Sequence, residues 1–95
     1  MIKKYSIKTD ERLVEISKNL IGWYWDTNCS LSLVVKEFLI TIFVNSDTNE
    51  IDITVDTINP NTGFFEQNLE WETPVQNTKE IINCACNFVK KYGIN

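Results

Sequence analysis

FLITIFVNSDTNEIDITVDT, residues 38–57, holds two alternating arms around a polar turn, and the fold follows from how those arms are read. On the second arm Ile51, Ile53 and Val55 alternate with Asp52, Thr54 and Asp56, the period of a half-buried strand. On the first, Phe38, Ile40, Ile42 and Val44 share one face, and Leu39, Thr41 and Phe43 the other. Between them Ser46, Asp47, Thr48 and Asn49 carry short polar side chains that hydrogen-bond their own backbone and favour reversal. A β-hairpin is predicted.

Working outward, residues 30–37 admit two readings. Leu31, Val34, Val35 and Phe38 fit a helical stripe, whereas the density of Val, Leu and Ile favours a strand running into the hairpin. A strand from Leu31 to Val44 needs a kink or bulge near Lys36-Glu37. Upstream, Trp23-Tyr24-Trp25 favours extended structure, with the two tryptophans on one face. Such a cluster serves either as core or as a contact surface. Before it, Thr9 or Asp10 caps a helix from about Asp10 to Ile21, with Leu13, Ile16, Leu20 and Ile21 at helical spacing and Gly22 as its left-handed stop. Tyr5-Ser6-Ile7 is a candidate edge strand or ordered lead-in. Downstream, TINPNTG at 57–63 is a loop. Phe65, Gln67, Leu69 and Trp71 then alternate with Glu66, Asn68, Glu70 and Glu72 in a further strand that Pro74 ends. A final helix over about residues 75–92 has Ile81, Ile82, Ala85, Phe88, Val89 and Tyr92 on one stripe, with Lys90 and Lys91 in its last turn. The prediction is an α+β domain over residues 1–95: an antiparallel β-meander of three to four strands, with N- and C-terminal helices packed on one face.

The 95 residues, 43% apolar and 12% aromatic, suit one globular core. No apolar run suggests a membrane span, and no apolar region follows the basic N-terminal residues as in a signal peptide, so a cytoplasmic protein is expected. Cys29, Cys84 and Cys86 are an odd number of thiols, expected to be reduced, with at least one buried. The net charge of −4 is uneven: residues 26–80 carry two lysines against ten acids, a balance of −8, while both flanks are +2. Such a distribution bears on partners rather than on fold.

The sequence offers no chemistry for catalysis. It has no histidine, the commonest general base, and no nucleophile elbow, phosphate-binding loop or dinucleotide motif. The acids at 47–52 lack the glycine and the terminal glutamate of a calcium loop. No catalytic residue, metal site or cofactor is therefore assigned. Direct nucleic-acid binding needs a basic face, and Lys3, Lys4, Lys8, Lys90 and Lys91 are few against the acidic centre.

A protein-binding surface is the reading that is left. If Ile51, Ile53 and Val55 face the helices, Asp52 and Asp56 point away from them. If Phe65, Leu69 and Trp71 also face the helices, Glu66, Glu70 and Glu72 join the same outer face, with Leu39 and Phe43 as apolar anchors. Apolar anchors in an acidic surround suit a basic partner. In size, mixed α/β order and uneven charge the chain resembles the small acidic inhibitors carried by phages and mobile elements, anti-CRISPR proteins among them. The eight-to-one excess of Lys over Arg, with abundant Asn and Ile, suggests an AT-rich genome of the kind such elements have. The acidic central segment and strand face, with this resemblance, lead to the expectation of a non-enzymatic inhibitor, monomeric or homodimeric, that blocks a larger basic protein, a nucleic-acid-binding effector being the expected class, in the cytoplasm (the host's, for a phage-encoded protein). The alternatives are a toxin-neutralising immunity protein and an oligomer-forming structural protein.

Overall fold

A computed structural model describes residues 9–94 and shows an α+β fold. The elements are α1 (Glu11–Ser17), β1 (Tyr24–Thr27), β2 (Ser30–Val35), β3 (Phe38–Asn45), β4 (Glu50–Ile58), β5 (Phe65–Glu72) and α2 (Thr78–Gly93). The strands form one antiparallel sheet in the order β1-β2-β3-β4-β5, a meander in which each strand pairs with its neighbours in sequence. Both helices contribute to the core on one side of it: Leu13, Ile16 and Leu20 from the α1 region and Ile81, Ala85 and Phe88 from α2 pack with Leu31, Ile40, Ile42, Ile51, Ile53 and Val55. The predicted hairpin is β3–β4, with Ile40 opposite Val55 and Ile42 opposite Ile53. In its turn the Asn45 side chain accepts from the Asp47 N–H and Thr48 Oγ1 from the Glu50 N–H.

Five strands form where three to four were expected, because residues 30–45 divide. Val35 pairs with Phe38, so Lys36 and Glu37 are a two-residue turn rather than a kink within one long strand. Lys36 takes a φ of 57°, the positive value that a primed hairpin turn requires at its first central residue. Residues 30–35 are strand, not helix. At the other end of β2, Tyr24 lies opposite Ser32 and Trp25 opposite Leu31, so they point to opposite sides. Trp23 precedes the strand and packs partly buried against the core.

The first helix is shorter than its apolar spacing predicts. It ends at Ser17, after which i→i−3 bonds from Asn19 and Leu20 tighten the chain. Two side chains compete with the helical pattern there: the Ser17 hydroxyl donates to the Val14 carbonyl, and Asn19 Nδ2 to that of Glu15. Leu20 is still buried, but Ile21 is 99% exposed rather than on the core stripe. Asp10 is the N-cap, and Gly22 takes a φ of 91°. Helix α2 begins at Thr78, three residues later than expected, behind an Asn77 cap whose side chain accepts from the Glu80 N–H. The residues before it are engaged elsewhere. Gln76 accepts from the Ile51 N–H at 2.7 Å and donates to the Ile51 carbonyl at 2.9 Å, so one side-chain amide continues the β4 ladder beyond the end of β5. Tyr5-Ser6-Ile7 lies outside the described residues.

Candidate functional site

The side of the sheet opposite the helices carries Leu39, Thr41 and Phe43 from β3, Asp52, Thr54 and Asp56 from β4, and Asn68 and Trp71 from β5. Among the described residues, neither helix packs on this side. Asp52 lies near the start of β4, just past the last β5 pairing, and is only 2% exposed. Three neutral groups from three segments satisfy its carboxylate: Asn45 Nδ2–H donates to Oδ2 at 3.0 Å, Trp71 Nε1–H to Oδ2 at 2.9 Å, and the Thr73 hydroxyl to Oδ1 at 2.9 Å. Burial pushes the carboxyl pKa up, but the three hydrogen bonds to its ionised form outweigh that and leave it below the ordinary aspartate value.

Trp71 is the large exposed side chain of this cluster, in which Thr73 is exposed as well. It pairs across the ladder with Thr54, yet its ring meets Phe43, two strands away on β3, with centroids 5.7 Å apart and planes at 74°. The indole therefore reaches across β4 on the open side, fixed by its N–H at one point and by Phe43 at another. It is nonetheless 59% exposed. Further along β5 are exposed Leu69 and Phe65, with Phe64 before the strand.

The acids are distributed differently from expectation. Glu70 pairs with Val55 and Glu72 with Ile53, so both lie on the helix side, and Trp71 between them faces away from the helices. Phe65, opposite Ile58, also faces away from them. The predicted phase of β5 is inverted. The reason is that α2 contacts β2, β3 and β4, leaving β5 at the rim, where a carboxylate still reaches water and a cation. Glu70 accepts from Lys91 Nζ at 2.6 Å and from the Tyr92 hydroxyl, clamping β5 to α2. These hydrogen bonds hold its pKa below the ordinary glutamate value, while burial, followed by the Glu70 contact, raises the Tyr92 phenol to about 12. Glu66 falls where the register shifts between Thr57 and Ile58, and accepts from Asn59 Nδ2 across the mouth of the loop. It is tied to the loop, not aligned with Asp52.

Of the seven residues singled out in the sequence, the structure brings Asp52, Asp56, Leu39 and Phe43 to one side. Asp52 and Leu39, at 2% and 6% exposure, are too buried to be first contacts. Asp56 and Phe43 are half-buried, and Asp56 accepts from Asn68 Nδ2 at 2.9 Å. Trp71 is the residue that sequence reasoning assigned to the wrong side. A signal for it exists in the Glu-Trp-Glu order of 70–72, since Lys91 and Tyr92 at the end of α2 offer partners for an inward glutamate.

No group of three or more metal-ligating side chains is assembled among the described residues, and no described helix is long and apolar enough to cross a membrane. The three cysteines are free, and none is fully buried: Cys29 and Cys86 are exposed and Cys84 half-buried. Burial, with Glu72 and Glu70 nearby, raises the Cys84 thiol to about 11, so it is protonated at neutral pH. Compared with known proteins, the chain matches no family model, no curated protein and no solved structure. Its own geometry must carry the functional reading.

Proposed function

We propose that this protein is a non-enzymatic binding protein that lays the open side of its sheet on a basic surface of a larger protein. One observation carries the reading: a tryptophan held by a buried carboxylate is 59% exposed on a sheet side against which neither described helix packs. A rigid, exposed aromatic contributes contact area at little entropic cost, the property of an interface anchor. The sign of the partner follows from charge. Residues 30–72, which span β2 to β5, carry eight acids and one lysine, and Asp52 and Asp56 among those acids stand on the open side, so a basic surface is attracted and an acidic one repelled. Occupying such a surface blocks whatever else binds there. Inhibition by occlusion of a nucleic-acid-binding protein, in the manner of the small acidic inhibitors the chain resembles, is the fullest form of the proposal.

The test is affinity capture from lysate with the wild-type protein, Trp71→Ala and Asp56→Asn side by side, with thermal melts to establish that each variant folds. Specific partners are expected to be retained by the wild type, reduced at least about fivefold by Trp71→Ala, and released as salt rises. A partner captured equally by all three proteins at every salt concentration would place its contact elsewhere and overturn the reading.

A further inference from the structure

The open side also specifies which side chain the partner presents. We propose that Trp71 is a stacking platform for an arginine of that partner, with Asp52 as the positioning residue behind it. The inference rests on the reading of this side as protein-binding and adds the chemistry of the contact.

Four features converge. The Trp71 N–H is already donated to Asp52, so an incoming group meets only the ring and finds no donor for a phosphate or carboxylate. The ring crosses β4 to reach Phe43, above a strand whose Asp52 and Thr54 are both buried. The charge of Asp52 is satisfied by hydrogen bonds but not neutralised, because all three of its donors are uncharged. A cation laid on the indole is therefore attracted twice, by the electron-rich ring and by a carboxylate screened little by water. Fourth, Asp56 follows Thr54 on the same side of β4, beyond the residue that pairs with Trp71, and adds a second negative charge to this side. One Asp56 oxygen is engaged by Asn68, and the residue is half-exposed. Arginine fits better than lysine: the guanidinium is planar, stacks on aromatic faces and is weakly hydrated, whereas an ammonium holds its water.

Hexa-arginine and hexa-lysine amides are the probes, followed at low salt by calorimetry and by the indole N–H resonances of the folded protein. The Trp71 resonance is assigned by its absence from Trp71→Phe. The expected result is that hexa-arginine shifts this resonance and binds about three- to tenfold more tightly than hexa-lysine. Trp71→Leu should erase that preference. Asp52→Asn keeps an acceptor for the indole but removes the charge, so the free resonance should move less than in Asp52→Ala while the arginine preference falls at least about twofold. Asp52→Ala should move the resonance in the free protein, which a mere contribution to net charge would not do. If both peptides bind equally and the Trp71 resonance does not move, the arginine platform is overturned and the basic-partner reading stands. If neither binds, both fall.

Discussion

The two sides of β3 and β4 are built from alternate residues of the same 17 positions, and both contain buried groups, but they are held by different physics. On the helix side Ile40, Ile42, Ile51, Ile53 and Val55 are fully buried in contact with α1 and α2 residues. Their contribution scales with apolar area and is indifferent to direction. On the open side Asp52 and Thr54 of β4, and Ser32 of β2 beyond β3, are buried, and their contacts are directional: Ser32 with Thr41 at 3.3 Å, and Asp52 with three donors. The helix side supplies stability. The open side fixes where particular side chains stand, which is the requirement of a binding surface rather than of a core.

The sharpest way to break this contrast is truncation on the helix side. Ile53→Ala should cost about 2–5 kcal/mol in urea unfolding, because the cavity it leaves is walled by the sheet and both helices. Val34→Thr, at an exposed position on the other side of β2, should stay within about 0.5 kcal/mol. Equal losses would erase the distinction. Asp52→Ala is the next largest expected effect, at about 1–3 kcal/mol, since it strands the Asn45, Trp71 and Thr73 donors without an acceptor. Its signature is a loss of stability together with a freer indole, whereas Ile53→Ala should leave the Trp71 environment intact.

Smaller still is the response to acid. The folded-state pKa values of Asp10, Asp52 and Glu70 all lie below their ordinary values, so the unfolded chain takes up protons first as pH falls. Stability should be level near neutrality and decline as pH passes from the ordinary carboxylate range, about 4, down through the folded values. Glu70→Gln should remove part of that slope and about 0.2–1 kcal/mol at neutral pH, the range of a largely solvated ion pair. A thermal-melt series from pH 7 to pH 2 measures both, and an unchanged acid slope in the variant would show that the Lys91–Glu70 clamp contributes nothing to folding.

The sequence made the hairpin legible because its phase is unambiguous: Ile and Val alternate with Asp and Thr, and only one phase can be buried under helices. The same logic misplaced β5. In FEQNLEWE the apolar phase is as regular as the acidic one, but an edge strand that α2 meets only at its rim, through Lys91 and Tyr92 on Glu70, is not obliged to turn its apolar phase inward. Register shifts near Asp56 and Ile58 complicate it further, putting Phe65, Asn68 and Trp71 on the open side at intervals of three rather than two. The burial of Asp52 was hidden for another reason. Its three donors come from the end of β3, from β5 and from the segment after it, and no local pattern brings those together. What could be read was the side on which Asp52 and Asp56 lie; what could not was which of them is accessible.

The amide of Gln76 has a further consequence. Because β5 ends at Glu72, opposite Ile53, the Ile51 N–H and carbonyl are held on that edge by a side chain from the segment leading into α2. Exchange of the Ile51 amide with deuterium is thus governed by the opening of residues 73–77, a local event, while its neighbours within the β3–β4 ladder exchange only through larger openings. Thr73, at the start of the same segment, donates to Asp52. One backbone amide, timed against its neighbours, therefore reports how often the segment that helps to hold the Trp71 platform lifts away from the sheet.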